Sequence, residues 1–501
     1  MSSAITWTKE SQEEAGSLHS ASVLSTWWCL PAIVCLALNL FLSGTRGSLD
    51  GHEVLVAQTA REMVRSNDWI HPTLAGSPRY QKPPLAYWLT GSAYQLTGNV
   101  SVLTARLPSL LAALLLTLLT AYAVKAAHGV CVARLAGLMQ ATMLWSLNYG
   151  SSAIVDMMLS LIVAIGIFVA TADGISWRIS RPTAIIVFWT MLGFSVLAKG
   201  PLGVAIILST AIVFRASFNR DRGEASPRFF VTWWTCLGIG CFAVLSCGWG
   251  LAVWWTEPRV IELWREQSFG RFLVHWGPQT RPWYYYLYQV PLLTLPWTPL
   301  WMVEIYSTVR DRMRGQAIDN LRWLCLIWFG VTMIVLSLSE GKREHYILPG
   351  LLPLTILAAL GGARLTRHIT FIDPLRLMRA TVIMAVAVVM GVGGFEYFRI
   401  DDMESLATEA ATHREAVDAA PVVIQYGSNE HASCFVLDRP MKWCGAWEEV
   451  ESISRTAPDA LLLVPASRGD EARQLGAWQP FGEHRVPNSK RTLVLLTRGS
   501  E

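Results

Sequence analysis

Charge is scarce in this chain: Asp, Glu, Lys and Arg make up 16% of its 501 residues, whereas 52% are hydrophobic. Soluble domains carry about a quarter of charged residues, so the balance belongs to a polytopic membrane protein. An excess of either sign is also missing. A net charge of +4 over this length provides no footprint for nucleic acid. The sequence holds no Walker loop, no HExxH and no GxSxG elbow, which argues against nucleotide-driven chemistry, and no repeat of solenoid period. Seven of the nine cysteines lie in apolar runs without CxxC spacing and read as small buried hydrophobes, not as a metal site. The other two, Cys434 and Cys444, lie in a polar C-terminal region, where a disulfide and two isolated thiols are both open readings.

Apolar runs, by contrast, are plentiful. Those long enough to cross about 30 Å of hydrocarbon fall near 26–44, 102–124, 131–149, 152–171, 183–198, 201–214, 229–255, 284–306, 321–338, 345–361 and 379–397, about eleven transmembrane helices in all. Many of the 23 tryptophans flank these runs, as interfacial anchoring requires. With residues 1–25 as a cytoplasmic tail and the first span as an uncleaved anchor, every alternate loop is basic, from Lys125 and Arg134 to Arg376 and Arg379. The opposite loops, chiefly 45–101 and 256–283, then lie outside. They nevertheless hold Arg61, Arg65, Arg79, Lys82, Arg265, Arg271, Arg281, Lys342 and Arg343. Misplaced positive charge beside a span points to an anionic ligand, although long loops translocate regardless of charge, and for Arg61 and Arg65 both readings stand.

The densest chemistry lies in the first external loop. Asp50 and Glu53 open a helical pattern and can share one face, and Arg79, Lys82 and the rigid Pro83-Pro84 follow. The same Asp50-Gly51-His52-Glu53 stretch has the form of a helix capping box, so structure competes with chemistry for both acids. Asp156 heads a later span, where a carboxylate is expensive; either it reacts or it forms a salt bridge with Lys82 or Arg79. Lys199 between two spans is explained almost as well by snorkelling, and Trp283-Tyr284-Tyr285-Tyr286 by an aromatic belt. Glu257, Glu262 and Glu266 with Arg259, Arg265 and Arg271 read as an interfacial amphipathic helix lining a cavity. After about Arg399 charge rises, and the short apolar runs Val422–Tyr426, Ala460–Val464 and Thr492–Thr497 alternate with polar helical stretches. The fold expected is therefore an all-α polytopic membrane body over 26–398 with a small extracytoplasmic α/β domain over 399–501.

The phrases AREMVRSNDW and KPPLAYW, then IVDMMLSL, LAKGPLG, GRFLVHW with RPWYYYL, and KREHYILPGLLPL, resemble in that order the membrane glycosyltransferases of the C-type (GT-C) fold. The resemblance is to the bacterial aminoarabinose-transferase and protein O-mannosyltransferase-like group and covers about the first 360 residues. It implies transfer of a sugar from a polyprenyl-phosphate carrier to an acceptor hydroxyl outside the cytoplasmic membrane, the acceptor being a lipid, a glycan or a protein. It also implies site roles. Glu53 falls on the second acid of the family's acidic pair, His52 replaces the first, and Asp50 lies two residues before it, so the identity of the base stays open between Asp50, Glu53 and a new role for His52. Asp156 matches a third acid. Lys82, with Arg79 beside it, would contact donor phosphate, as would Lys342, Arg343 and Tyr346, with His345 a bystander. Gln81 stands where an acid often precedes the lysine and removes a possible metal ligand; fixed cations can do the work, so neither a metal nor a cofactor is called for. A transporter or flippase of a lipid-linked substrate, and a catalytically silent carrier-binding homologue, are the competing functions; transporters tend to show repeated halves and charge near the midplane.

Overall fold

The computed structural model describes residues 26–175, 177–222, 232–265, 281–339, 341–368, 374–398, 402–427, 431–475, 478–480 and 493–498. The tail 1–25, and Glu266, Arg271 and the GRFLVHW phrase of the 256–283 loop, lie outside the described residues. The N-terminal part is helical: α1 (Cys29–Thr45), α2 (Gly51–Ser66), α3 (Leu85–Thr97), α4 (Val102–Thr142), α5 (Leu144–Gly150), α6 (Asp156–Ala170), α7 (Arg181–Lys199) and α8 (Pro201–Arg222). It continues with α9 (Trp233–Thr256), α10 (Val260–Arg265), α11 (Tyr285–Leu293), α12 (Thr298–Met313), α13 (Asn320–Ser337), a 3-10 segment at Glu344–Gly350, α14 (Leu352–His368) and α15 (Pro374–Phe398). Between α2 and α3 a short hairpin pairs β1 (Thr73–Leu74) with β2 (Ser77–Pro78).

Among the described residues five helices are long and apolar enough to cross a membrane, and the 3-10 segment with α14, bent by 58°, makes a sixth candidate. Helices α1 and α6 are apolar but shorter. Two expected spans take a different form. The runs 102–124 and 131–149 merge into α4, which kinks at Gly129 (φ 78°) and stops at Thr142, after which α5 starts afresh. The run 284–306 is broken at Thr294–Trp297 into α11 and α12; Pro296 in the break and Pro299 in the first turn of α12 withdraw two backbone donors, which hydropathy alone does not register.

The interior of the bundle is built by α4, α6 and α14 with Trp145, Phe168 and Trp328 wholly inside. Close approach needs small residues: a Cβ on Gly150 would sit 2.5 Å from Asn39 Oδ1 and 2.9 Å from the Ala113 Cβ. Helix α9 is apolar yet almost uncovered, with Trp233, Leu237, Val244, Leu251 and Trp255 exposed, as a helix facing hydrocarbon requires.

Beyond α15 the chain forms α16 (Asp402–Thr412), α17 (Arg414–Ala419), β3 (Val423–Tyr426), α18 (Ala432–Leu437), β4 (Met441–Cys444), α19 (Trp447–Thr456), β5 (Leu461–Pro465), α20 (Gly469–Leu475), β6 (Trp478–Pro480) and β7 (Leu493–Arg498). The strands make one sheet in the order β4-β3-β5-β7-β6, parallel from β4 to β5 and antiparallel beyond. On one face α16 packs on β7 and α18 packs on α2, and Val54, Ala57 and Ala60 share an apolar cluster with Leu406, Val423, Cys434, Leu437 and Leu461. Cys434 and Cys444 are free thiols in separate clusters on the two faces of the sheet.

Arg61 and Arg65 complete this contact. Arg61 pairs with Asp438 at 2.9 Å, donates to the Phe435 carbonyl at 3.1 Å and lies 3.8 Å over the Phe435 ring. Arg65 reaches the other Asp438 oxygen at 2.6 Å. Both arginines thus meet an acid 373 residues or more away in the sequence, which no local pattern could have named.

Candidate active site

The positions that the sequence marked gather where chain segments end. Asp50 follows α1, Asp156 opens α6, Lys199 closes α7, and Arg343 follows α13. Between them lies a cavity of about 310 Å³. Of the residues singled out in the sequence, Asp50, Arg79, Lys82, Asp156, Arg343 and Tyr346 line it, together with Lys199, His52 and His345. Lys342 and Glu53 are not among its walls.

Each is held there for a physical reason. Asp50 caps α2: its Oδ1 accepts the N–H groups of His52 at 2.7 Å and Glu53 at 2.8 Å, and the Glu53 side chain returns a bond to the Asp50 N–H at 3.0 Å. The capping-box reading of these four residues is therefore realised. The remainder of the Glu53 carboxylate turns inward, 3% exposed, where it accepts from Arg106 Nε and Nη2 at 2.9 Å each and from Ala153 N–H at 2.7 Å. Arg106, at the start of α4, donates also to the carbonyls of Ser43 and Ser48. One buried ion pair thus ties α1, α2, α4 and the approach to α6 together. Burial alone would raise the Glu53 carboxyl, but the Arg106 and backbone donors outweigh it and hold the group below its ordinary value of 4.5. Arg106 has no motif around it, and its partner is distant in sequence, so sequence reading missed it.

Asp156 is also paired, with Lys199 rather than with Lys82 or Arg79. Lys199, only slightly exposed, lies against that carboxylate with its ammonium 4.2 Å over the Tyr346 ring, so it does not snorkel away. Arg79 Nε donates to the Tyr87 hydroxyl at 3.1 Å. The Tyr149 hydroxyl donates to Glu344 at 3.0 Å, a second polar pair of the cavity wall that the sequence did not suggest. Lys342 is 4% exposed and donates to the backbone carbonyls of Ser339 and Arg281, while the Tyr286 hydroxyl fixes the Arg343 carbonyl at 3.0 Å. Tyr286 therefore braces the loop behind the cavity, and Tyr284 and Trp283 stay exposed as belt residues would.

Tryptophans pin the first loop to α9 and α10: Trp249 Nε1 donates to the Ile70 carbonyl at 2.9 Å and Trp264 Nε1 to the Tyr80 carbonyl at 2.8 Å. Among the described residues that line the cavity, Asp156 pairs with Lys199, and Arg79, Lys82 and Arg343 stand with Asp50 and Glu344. Such a lining of fixed cations beside polar groups suits an anion with a polar, hydroxyl-bearing body. His52 adds an imidazole whose Nε2 stands 3.4 Å from Arg343 Nη1 and whose ring meets that of His345 edge-on at 5.9 Å.

No family model matches the chain. Among curated proteins it is similar to undecaprenyl phosphate-alpha-4-amino-4-deoxy-L-arabinose arabinosyl transferases: 27% identical to that of Proteus mirabilis over 353 residues, 68% of this chain and 60% of the relative. It is 26% identical to that of Sodalis glossinidius over 62% of this chain and 54% of the relative. The matches thus span less than two thirds of these relatives. Among solved structures, ArnT from Cupriavidus metallidurans bound to undecaprenyl phosphate superposes with a TM-score of 0.73 at 17% identity over 94% of this chain and 98% of that one. An archaeal oligosaccharyltransferase, AglB from Archaeoglobus fulgidus in complex with an inhibitory peptide and a dolichol-phosphate, aligns with a TM-score of 0.52 at 10% identity over 89% of this chain and 70% of that one. The fold is that of the C-type membrane glycosyltransferases, as the resemblance implied.

Proposed function

We propose that this chain, a relative of the undecaprenyl-phosphate-aminoarabinose transferases built on the fold of ArnT, moves a sugar from a polyprenyl-phosphate carrier to an acceptor hydroxyl on the extracytoplasmic side of the membrane. The observation that carries the reading is the cavity, which joins Lys82, Arg79 and Arg343 with carboxylates and an imidazole at the ends of apolar helices. The sugar's anomeric carbon leaves a lipid phosphate whose charge grows as the bond breaks. Fixed cations stabilise that charge more in the transition state than in the ground state. Apolar helices beside the cavity give the carrier's tail a place in hydrocarbon, and a hydroxyl from lipid, glycan or protein attacks from the opposite face.

In this reading Lys82, Arg79 and Arg343 hold the donor phosphate, and Tyr346 lies against them with Lys199. Asp156 orients Lys199. Glu53 and Lys342 act one layer back, fixing the loops that carry Asp50 and Arg343. We read the body as about eleven spans, counting short and broken helices, and the sheet-bearing region from 399 onward as a small external α/β domain, on the basic character of alternate loops. Charges collected at helix ends favour a transferase over a transporter, whose substrate must find partners near the midplane.

The test is transfer of labelled sugar from a polyprenyl-phosphate donor in membranes holding the wild type, Lys82→Ala or Asp50→Asn, with folding checked by detergent extraction. Loss of transfer in Lys82→Ala with intact protein supports the reading. Binding of undecaprenyl phosphate without transfer of any sugar tried moves the chain to the silent carrier-binding class.

A further inference from the structure

Three acids were available in the sequence to serve as base, and all three are engaged. Both Glu53 oxygens accept two N–H donors each inside the protein. Asp156 is paired with Lys199. Asp50 spends Oδ1 on two backbone N–H groups of α2. His52, the second residue of the same helix, is exposed and lines the cavity.

Its protonation is legible from its partner. A guanidinium has only N–H donors and accepts nothing, so the His52 Nε2 that stands 3.4 Å from Arg343 Nη1 presents its lone pair. The proton of the neutral ring is then on Nδ1. The charged groups around it come from four directions: Asp50 before α2, Lys82 before α3, Asp156 at α6, and Arg343 with His345 at the head of the 3-10 segment. Partial desolvation of the ring at the cavity wall and Arg343 favour the neutral ring, with Lys82 assisting, and outweigh Asp50 and Asp156.

We infer that His52 is the general base of the transfer, taking the acceptor's hydroxyl proton on Nε2. This rests on the glycosyl-transfer reading above and names a residue for its missing step. The acceptor O–H gives its proton to Nε2 as its oxygen bonds the anomeric carbon, and the carbon–oxygen bond to the carrier breaks with its electron pair passing to the phosphate. The resulting imidazolium passes its proton to the lipid phosphate or to water. Donor binding prepares the step, because a phosphate laid against Arg343 and Lys82 takes up the N–H that Nε2 accepts from Arg343 and cancels the charge that suppresses the ring's basicity. An imidazole is also a better match to neutral pH than an ordinary carboxylate.

The experiment is the pH dependence of kcat/KM for transfer by wild type, His52→Gln and His52→Asp, with undecaprenyl phosphate binding as the folding control. The wild type is expected to lose activity as pH falls through a limb below 6.5, where the ring takes up a proton. His52→Gln should fall by about 100-fold or more with binding retained, and His52→Asp should keep transfer with its acid limb moved down by about two pH units. An unchanged limb in either variant, or undiminished transfer by His52→Gln, overturns the assignment. Diethyl pyrocarbonate labelling of His52 supplies a readout independent of turnover. Protection by undecaprenyl phosphate supports the placement, and lack of protection overturns it. Protection in a wild type that transfers no sugar overturns instead the functional reading on which the assignment depends.

Discussion

Glu53→Gln separates an acid that holds the site from one that reacts in it. In the wild type Oε1 accepts Arg106 Nε and Ala153 N–H, and Oε2 accepts Arg106 Nη2 and Asp50 N–H. An amide has one accepting oxygen, so in either orientation its NH₂ confronts two donors, at about 1–3 kcal/mol each. The sum agrees with the roughly 3–5 kcal/mol that accompanies removal of one partner of a buried ion pair. Thermal unfolding in detergent should therefore show a clearly lowered midpoint, while transfer per folded molecule, measured well below that midpoint, is retained. Glu53→Gln with Arg106→Gln should regain part of the loss. The acid side gives a second check. The wild-type carboxyl sits below 4.5, so its contribution is complete above that pH and is lost as pH falls through the lower folded-state value; the variant lacks this limb. Unchanged unfolding together with abolished transfer would refute the structural role and return Glu53 to the chemistry.

Other outcomes follow from the same geometry. Lys82→Ala and Arg343→Ala should each weaken undecaprenyl phosphate binding by about 10-fold or more, read by competition with labelled donor, since each removes a charge-assisted contact. Lys199→Met and Asp156→Asn should each cost more stability than the double variant, because a lone buried charge is worse than none, and additive losses in a thermal-shift cycle would contradict the pairing. Asp438→Asn should speed hydrogen exchange in β3 and β5 at a cost of about 1 kcal/mol, the modest figure reflecting an Arg65 side chain that is 61% exposed. Gly150→Ala should destabilise by about 1–3 kcal/mol through the clash with Asn39 and Ala113, and unaltered unfolding would show that α1 can yield.

What the sequence disclosed was local. The acidic pair at the head of α2, the strands on the runs near 422, 460 and 492, and most cavity cations were visible because a cap, an alternation or a charge beside a span leaves a mark within a few residues. What it hid was pairing at a distance. Nothing near Arg106 announces Glu53, and Asp156 finds its cation 43 residues on, in a stretch that hydropathy reads as the edge of a span. The break between α11 and α12 was hidden for another reason: its prolines sit in a run apolar enough to pass for one helix. His345 looked like a spacer because linear order does not reveal that its ring turns toward His52.

The cluster shared by α2 and the C-terminal sheet sets an order of construction. The apolar stripe Val54, Ala57 and Ala60 leaves the ribosome early and meets Tyr94, Ala105 and Ala153 soon after, yet part of its cover, from Leu406 to Leu495, leaves among the last. Until synthesis is nearly finished, the helix that presents Asp50 and His52 is covered on one side only. A chain that stops at the last apolar helix would keep every cavity side chain named here and still leave part of that stripe bare. Quality control of the nascent protein and the setting of the cavity wall therefore both depend on the same late-arriving segment.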